Sequence, residues 1–588
     1  MKKIVSLVLC LFCILAVIPA CSSSDDEEDV GATVPVYFST EVANFDPAYA
    51  NFDDATLKVY GLIYEGLFKY DSKGKVVKAQ AKNVKILDKP SDDFYCIEIT
   101  LEKTAWSDGI AVQAADYIYA WKRLLNPNFT GEGSSLLFDI KNARECMNGE
   151  CSIDDLGVTD SGMYVLRIEF EGPTDYNRFY EYLASPLLVP LREVAVNKVA
   201  KDWSSSQSIV VCNGPFCVRT YNHKSSSSDG TLVLERNIYY KRNVDKDSVK
   251  KYVTPYRLAM TSIGTGSTAA EAKLAEFENG TVVYDSEIPL SKRAEYANKV
   301  TKADNLSVLS YIFNTTVAPF DKPEVRQALS VALDRQAIAD IIVYAKPATG
   351  LIADKVFYTG YSGKASFRSK CGDLIGSSAD LSKAKSLLSS AGVSGETITI
   401  TLRNNEVDVA VAEYVKSVWE QLGLKVKLNA LDTSTYKDEL EYDLVTDNYL
   451  EAYRNGDFQV ISVDFLMYST DAFPTLASFD KDFAGTHIDM SVAKEEYDVM
   501  PRTGGYDSQA FNAKIEEAFA AKDSATRAGL LCEAEKILIE DMPIMPLAQL
   551  QTAYVASKEV NKSIKLNYFG FYYFEKVKYT EAEPVTAE

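Results

Sequence analysis

Histidine is almost missing from this chain: His223 and His487 are the only two in 588 residues. Two isolated imidazoles, with no carboxylate or cysteine pattern beside them, exclude a typical zinc centre. Each reads as a surface or hydrogen-bonded residue, not as a catalyst. HExxH, GxSxG, Walker and EF-hand patterns are absent too, and Gly264-Thr265-Gly266 does not open a dinucleotide fingerprint. No CxxC pair occurs, so metal binding is the weaker reading of the cysteines, and no metal or other cofactor is expected. Past residue 20, no apolar run approaches the roughly 20 residues that span a bilayer. Positive charge is also short: 62 Lys and Arg against 83 Asp and Glu leave a net charge of −21. Such a surface repels phosphate backbones and anionic lipid heads, which argues against a nucleic-acid partner and fits solubility outside the cell.

What is present starts at the N-terminus. Lys2 and Lys3 precede an apolar run from Ile4 to Ile18, and Ile18-Pro19-Ala20 leads into Cys21. This is an export-signal layout over residues 1–20. The small residue before Cys21 resembles the bacterial lipobox, in which the cysteine becomes the lipidated first residue. Ser22 to Asp29 reads SSSDDEED, too charged to pack, so residues 21–32 are expected to be a solvated tether. The chain is read as an extracytoplasmic lipoprotein that meets the membrane only through its lipid.

Of 10 cysteines, Cys10 and Cys13 leave with the signal and Cys21 carries lipid. Cys146 and Cys151 flank the turn dipeptide Asn148-Gly149 and are a candidate disulfide in an exported chain. Cys212 and Cys217 are a second candidate. The odd total of seven, completed by Cys96, Cys371 and Cys532, leaves at least one thiol free or paired elsewhere.

The length suits two or three domains. Alternating stretches predict strands over Val34–Ser39, Cys96–Leu101, Tyr164–Phe170 and Thr231–Glu235. Ser225 to Ser228 reads as a hairpin tip between Phe216–Tyr221 and Thr231–Leu234. Helices are predicted over Ala114–Leu125, from about Thr268 to Gly280, over Pro323–Val343 as one long amphipathic helix, and over Leu381–Ala391 with Asp380 as N-cap. Thr397–Leu402, Asp408–Leu422 and Leu424–Leu431 form a β-α-β unit joined through Gly423. Such units build sheets covered by helices, so the fold class is α/β.

Several motifs then coincide in order. Asn44-Phe45-Asp46-Pro47 precedes Tyr64-Glu65-Gly66-Leu67, and Trp106-Ser107-Asp108-Gly109 precedes Trp121-Lys122-Arg123-Leu124. Asn213-Gly214-Pro215-Phe216 leads to Glu235-Arg236-Asn237. Phe313-Asn314-Thr315 leads to Val325-Arg326-Gln327-Ala328-Leu329 and Leu333-Asp334-Arg335, and Ala534-Glu535-Lys536 precedes Met542-Pro543-Ile544. Over about Val34 to Phe574 the chain resembles the extracellular oligopeptide-binding proteins of ABC importers, solute-binding protein family 5. The resemblance implies a two-lobed clamshell of the periplasmic-binding-protein kind, built from three domains with mixed sheets covered by helices. Domain I takes 33–78, 210–306 and 549–588, domain II takes 79–209, and both form the first lobe. Domain III, 307–548, forms the second. Most motif residues are expected to serve the fold: Trp106 and Trp121 as core, Asn213-Gly214-Pro215 as a turn, and Arg326 and Arg335 in ion pairs bracing their helix.

In relatives an aspartate in a stretch matching Tyr468 to Pro474 holds the peptide amino group. Aligned on Pro474, that position falls on Thr470, with Asp471 beside it and Asp464 as a second candidate. Phe45, Asp46 and Tyr49, after the first strand, are expected to meet ligand, and Arg403 to meet a solute carboxylate or to sit in a surface ion pair. The resemblance implies a monomeric, non-enzymatic receptor that captures peptides between its lobes and delivers them to permease subunits. The rivals are the same scaffold holding an oligosaccharide, metal chelate or signalling peptide, and a surface hydrolase, which lacks a nucleophile motif.

Overall fold

The computed structural model describes residues 31–581 apart from 39–44, 49–53, 128, 130–132, 199–202, 206–209, 223–229, 264–266, 361–364, 433–434, 440–441, 447, 485–503, 569 and 571. Cys21, the signal, both histidines, the serine tip and Tyr49 lie outside the described residues.

Two strands of 13 residues, Thr301–Phe313 and Ile544–Ala556, pair antiparallel through the centre of the molecule. Thr301–Phe313 is buried without interruption from Asn305 onward, which suits a strand covered on both faces. We term the residues before the first strand and after the second the first lobe. We term those between them the second lobe. The main sheet runs through both lobes in the order Lys425–Leu431, Thr397–Arg403, Val460–Leu466, Thr301–Phe313, Ile544–Ala556, Tyr284–Asp285, Thr33–Tyr37, Arg257–Ile263, Gly230–Arg236, Phe216–Asn222. The central pairing shifts register between Asp304 and Val308 and between Leu309 and Ser310, so the ladder is irregular where the chain passes between lobes. A separate four-stranded sheet, Ala81–Ile86, Cys96–Leu101, Val165–Glu169 and Val158–Asp160, packs with helix Ala114–Leu124 in the first lobe.

The predicted β-α-β unit forms. Thr397–Arg403 and Lys425–Leu431 pair in parallel, and helix Glu406–Glu420 connects them. Asn405 accepts from the Asp408 amide at 2.9 Å to open the helix, and Gly423 closes the turn at φ +89°, where a side chain would be strained. The hairpin Phe216–Asn222 with Gly230–Arg236 forms too. Trp106 and Trp121 are core, at 0% and 1% exposure.

The long helix expected over Pro323–Val343 is instead two, Pro323–Val331 and Arg335–Ile342. Asp334 caps the second by accepting from the Ala337 amide at 3.0 Å. Amphipathic periodicity continues through the break, which is why the sequence pattern reads as one helix. Nor do Arg326 and Arg335 brace by ion pairs: both bind backbone carbonyls. Arg335 reaches Pro546 O at 2.8 Å and Ser330 O at 3.2 Å, and Arg326 reaches Asp541 O at 2.9 Å and Phe320 O at 2.5 Å. Burial pushes the Arg335 guanidinium down to about 10. The buried cations therefore tie helices to a crossing strand and to the turn before it.

Cys371 and Cys532 form a disulfide between helices Phe367–Cys371 and Ser524–Asp541. Cys146 and Cys151 are thiols, with Sγ atoms 2.8 Å apart in contact and no bond between them; Cys212 and Cys217 are also free. The disulfide that forms is neither of the two short-loop candidates read from the sequence. Sequence nearness favoured the short loops, whereas only tertiary packing brings together cysteines 161 residues apart.

Candidate functional site at the interlobe surface

Phe45 and Asp46 stitch the first lobe together. Asp46 accepts from both Arg123 Nη atoms, at 3.0 and 2.5 Å, and the Arg123 guanidinium lies 4.0 Å from the centre of the Phe129 ring. The Phe45 amide donates to Ser204 O at 2.8 Å and its ring meets Tyr221 edge-on at 4.9 Å. Both residues are buried.

Arg403 and Asp464 are brought together, but bound to each other. Arg403 ends its strand, donates to both oxygens of Asp408 at 2.9 and 3.2 Å, and pairs with Asp464 at 2.7 Å. Burial opposes the cationic form, and the two carboxylates outweigh it, holding the guanidinium firmly charged. Arg403 and Asp408 are buried and Asp464 is half-buried.

Thr470 and Asp471 reach the other lobe. Thr470 Oγ1 donates to Glu181 Oε1 in the first lobe, and Tyr70 OH donates to the same oxygen at 3.2 Å. Asp471 caps helix Ala472–Ala477 by accepting from the Phe473 amide at 2.7 Å, and takes Arg527 Nη1 at 2.7 Å. Arg527 Nη2 donates across the boundary to Tyr182 OH at 3.0 Å. Burial alone raises Asp471, but Arg527 first and Arg178 behind it outweigh that and leave the carboxyl below its usual range. Arg178 in turn pairs with Asp139 at 3.0 Å. Glu181, Thr470 and Asp471 are all at most 2% exposed.

Around this centre the lobes also touch elsewhere. Ser135 Oγ donates to Pro474 O at 2.9 Å, Phe138 meets Phe483 at 5.6 Å, and Arg144 grips Glu516. Behind Tyr70 a small cleft runs within the first lobe, lined by Tyr64, Glu65, Lys69, Tyr573 and Glu575 among others. Burial alone raises Glu65, yet Lys69, Lys241 and the Tyr240 hydroxyl bring it down to about 2.

Glu181, Tyr70, Tyr182 and Arg527 are absent from the sequence-derived candidates. Glu181 had a faint local mark, an acid between Tyr180 and Tyr182. Nothing local marks the other three as cross-lobe partners. Among the described residues no group of acids, cysteines and histidines is arranged to hold a metal, and no helix is long and apolar enough to cross a membrane.

Two lobes on one continuous sheet, with buried polar groups meeting between them, define a clamshell solute-binding protein. The profile of bacterial extracellular solute-binding proteins, family 5 (middle region), matches residues 75–486, and the chain belongs to that family. It is 25% identical over 568 residues to the oligopeptide-binding protein OppA of Bacillus subtilis strain 168, covering 93% of this chain and 94% of the relative. The substrate-binding domain of an oligopeptide ABC transporter from Bacillus anthracis superposes with TM-score 0.76 at 21% identity, over 93% of this chain and 99% of that one. Listeria monocytogenes OppA bound to peptide gives 0.74 at 22%, over 94% and 100%.

Proposed function

We propose that this protein captures oligopeptides between its lobes and delivers them to an ABC-type importer. The observation that carries the reading is the direct meeting of Thr470 with Glu181: a polar surface fully buried between lobes is what closure over a polar solute requires. The oligopeptide-binding relative of nearly equal length supports the solute class. Peptide main chain offers sequence-independent hydrogen bonds, so one cleft accepts many sequences. Closure favoured by solute would be the shape that permease subunits recognise.

The site is drawn from Thr470 and Asp471 on the second lobe and Glu181 on the first. Asp46, Asp464 and Arg403 belong to ion pairs of the scaffold. The proposed division is domain I (33–78, 210–306, 549–588), domain II (79–209) and domain III (307–548), with only the boundaries of domain III falling inside the crossing strands. Residues 1–20 are an export signal, Cys21 carries lipid, and residues 21–32 give the monomeric receptor reach from the membrane surface. Such a receptor performs no covalent chemistry.

Mass spectrometry of solutes released from the purified full chain tests the reading. Peptides of mixed sequence are expected. Sugars, metal chelates or one single peptide species would replace it with a different cargo, and turnover of added peptides would reveal a hydrolase. Metabolic labelling with a radiolabelled fatty acid, lost in Cys21→Ala, tests the anchor.

A further inference from the structure

Asp480 of the second lobe leaves one carboxyl oxygen open. It is fully buried, it accepts from the Asp482 amide through Oδ1 at 2.9 Å, and among the described residues its Oδ2 has no hydrogen-bond partner. The turn over residues 480–483 is pressed against the first lobe. The Phe483 amide donates to Asp480 O at 3.0 Å, and the Phe483 ring meets Phe138 at 5.6 Å and the Arg144 guanidinium at 3.9 Å. Carboxyl groups gather there: Asp480 and Asp482 on the turn, and Glu516 on helix Gln509–Ala520. The cation that faces them, Arg144, is already engaged by Glu516 and by Asp482 O. Ser134–Leu137 and Ala472–Ala477 also pack on this turn and carry no charged side chain. An ionised carboxyl buried with an open oxygen beside other acids is costly, and a proton on that oxygen removes the cost. Burial first, then Asp482 and Glu516, push the Asp480 carboxyl up to about 6, against the pull of the Asp482 amide and Arg144.

We infer that closure of the lobes is linked to uptake of a proton by Asp480, so that acid favours the closed form. The inference rests on the two-lobed fold and not on the identity of the solute. With the lobes apart, the turn loses its cover from Phe138 and Arg144, and the carboxyl returns toward its ordinary 3.8. At neutral pH the ionised group therefore opposes closure. As pH falls through about 6 the closed form takes up the proton first, and the gain levels off once the open form is protonated too, near pH 4.

The test is small-angle scattering of the full chain, dialysed free of solute, at pH 7 and at pH 5, read as the ratio of closed to open molecules. Carboxyl values of about 6 closed and 3.8 open make that ratio about tenfold higher in wild type at the lower pH. Asp480→Asn, neutral at both, should be more closed than wild type at pH 7 and should not respond to the change. Asp480→Ser keeps an acceptor for the Asp482 amide without a titrating group, and should be equally unresponsive, which separates the lost charge from the lost cap. A wild-type ratio that is the same at both pH values overturns the inference. So does a wild-type response kept by either variant, which would assign the proton to another group. Neither result touches the peptide reading.

Discussion

Arg144 of the first lobe and Glu516 of the second face each other across the gap, each Nη on its own carboxylate oxygen. The same guanidinium donates to Asp482 O at 3.2 Å and lies 3.9 Å from the Phe483 ring centre. One side chain thus holds an acid, a backbone carbonyl and an aromatic face of the opposing lobe.

Arg144→Ala should open the molecule. The pair is 23% and 45% exposed, so water screens it, and together with the ring contact it contributes about 1 kcal/mol. That is about a fivefold shift toward separated lobes, read as a larger radius of gyration in small-angle scattering. Added salt should narrow the gap between variant and wild type. Identical scattering curves at low salt would exclude this latch.

Arg403 separates a structural role from a binding one. Replacing it with Leu leaves the buried Asp408 without its guanidinium, a loss of about 3–5 kcal/mol in urea unfolding. The fraction that remains folded should bind peptide like wild type. Weakened binding with unchanged stability would return Arg403 to the solute.

Glu65 predicts acid sensitivity. Its folded-state carboxyl is held at about 2, below the ordinary 4.5. A depressed acid stabilises the fold above its unfolded value and loses that contribution as pH falls through the folded one, here from about pH 4.5 to about pH 2. The full effect is about 3 kcal/mol. Thermal melts of Glu65→Gln should therefore lie below wild type at pH 7 and approach it near pH 2; a constant offset would assign the loss to packing.

The Cys371–Cys532 disulfide closes a loop of 161 residues. Loop entropy puts its stabilisation at about 5 kcal/mol, with measured values commonly about 2–4. The double serine variant should unfold at lower urea. Peptide mapping after thiol blocking should find Cys146 and Cys151 alkylated, and a mild oxidant should then join them, since their sulfurs already touch. If the oxidant leaves both alkylatable, the two thiols do not meet closely enough to bond.

Much of the fold is legible locally. Asp380 caps its helix by accepting from the Lys383 amide at 2.8 Å, and Gly423 ends another, because caps and stops depend on neighbours in sequence. The break at Asp334 escaped because hydrophobic phase survives it. The site was harder. Thr470 and Asp471 stood out only through motif order, and Arg403 gave no local sign that Asp464, 61 positions away, would hold it.

By itself the sequence determined the class of molecule: an α/β chain poor in catalytic side chains, with an export-signal layout and motifs ordered as in family 5. Those properties are written in composition and in spacing between near neighbours. Tertiary structure alone decided which charges are spent on the scaffold and which face the cleft. Asp46 and Arg123, 77 positions apart, neutralise each other, whereas Glu181 meets Thr470 across 289 positions. Whether a buried charge is satisfied depends on what folding places within about 3 Å of it.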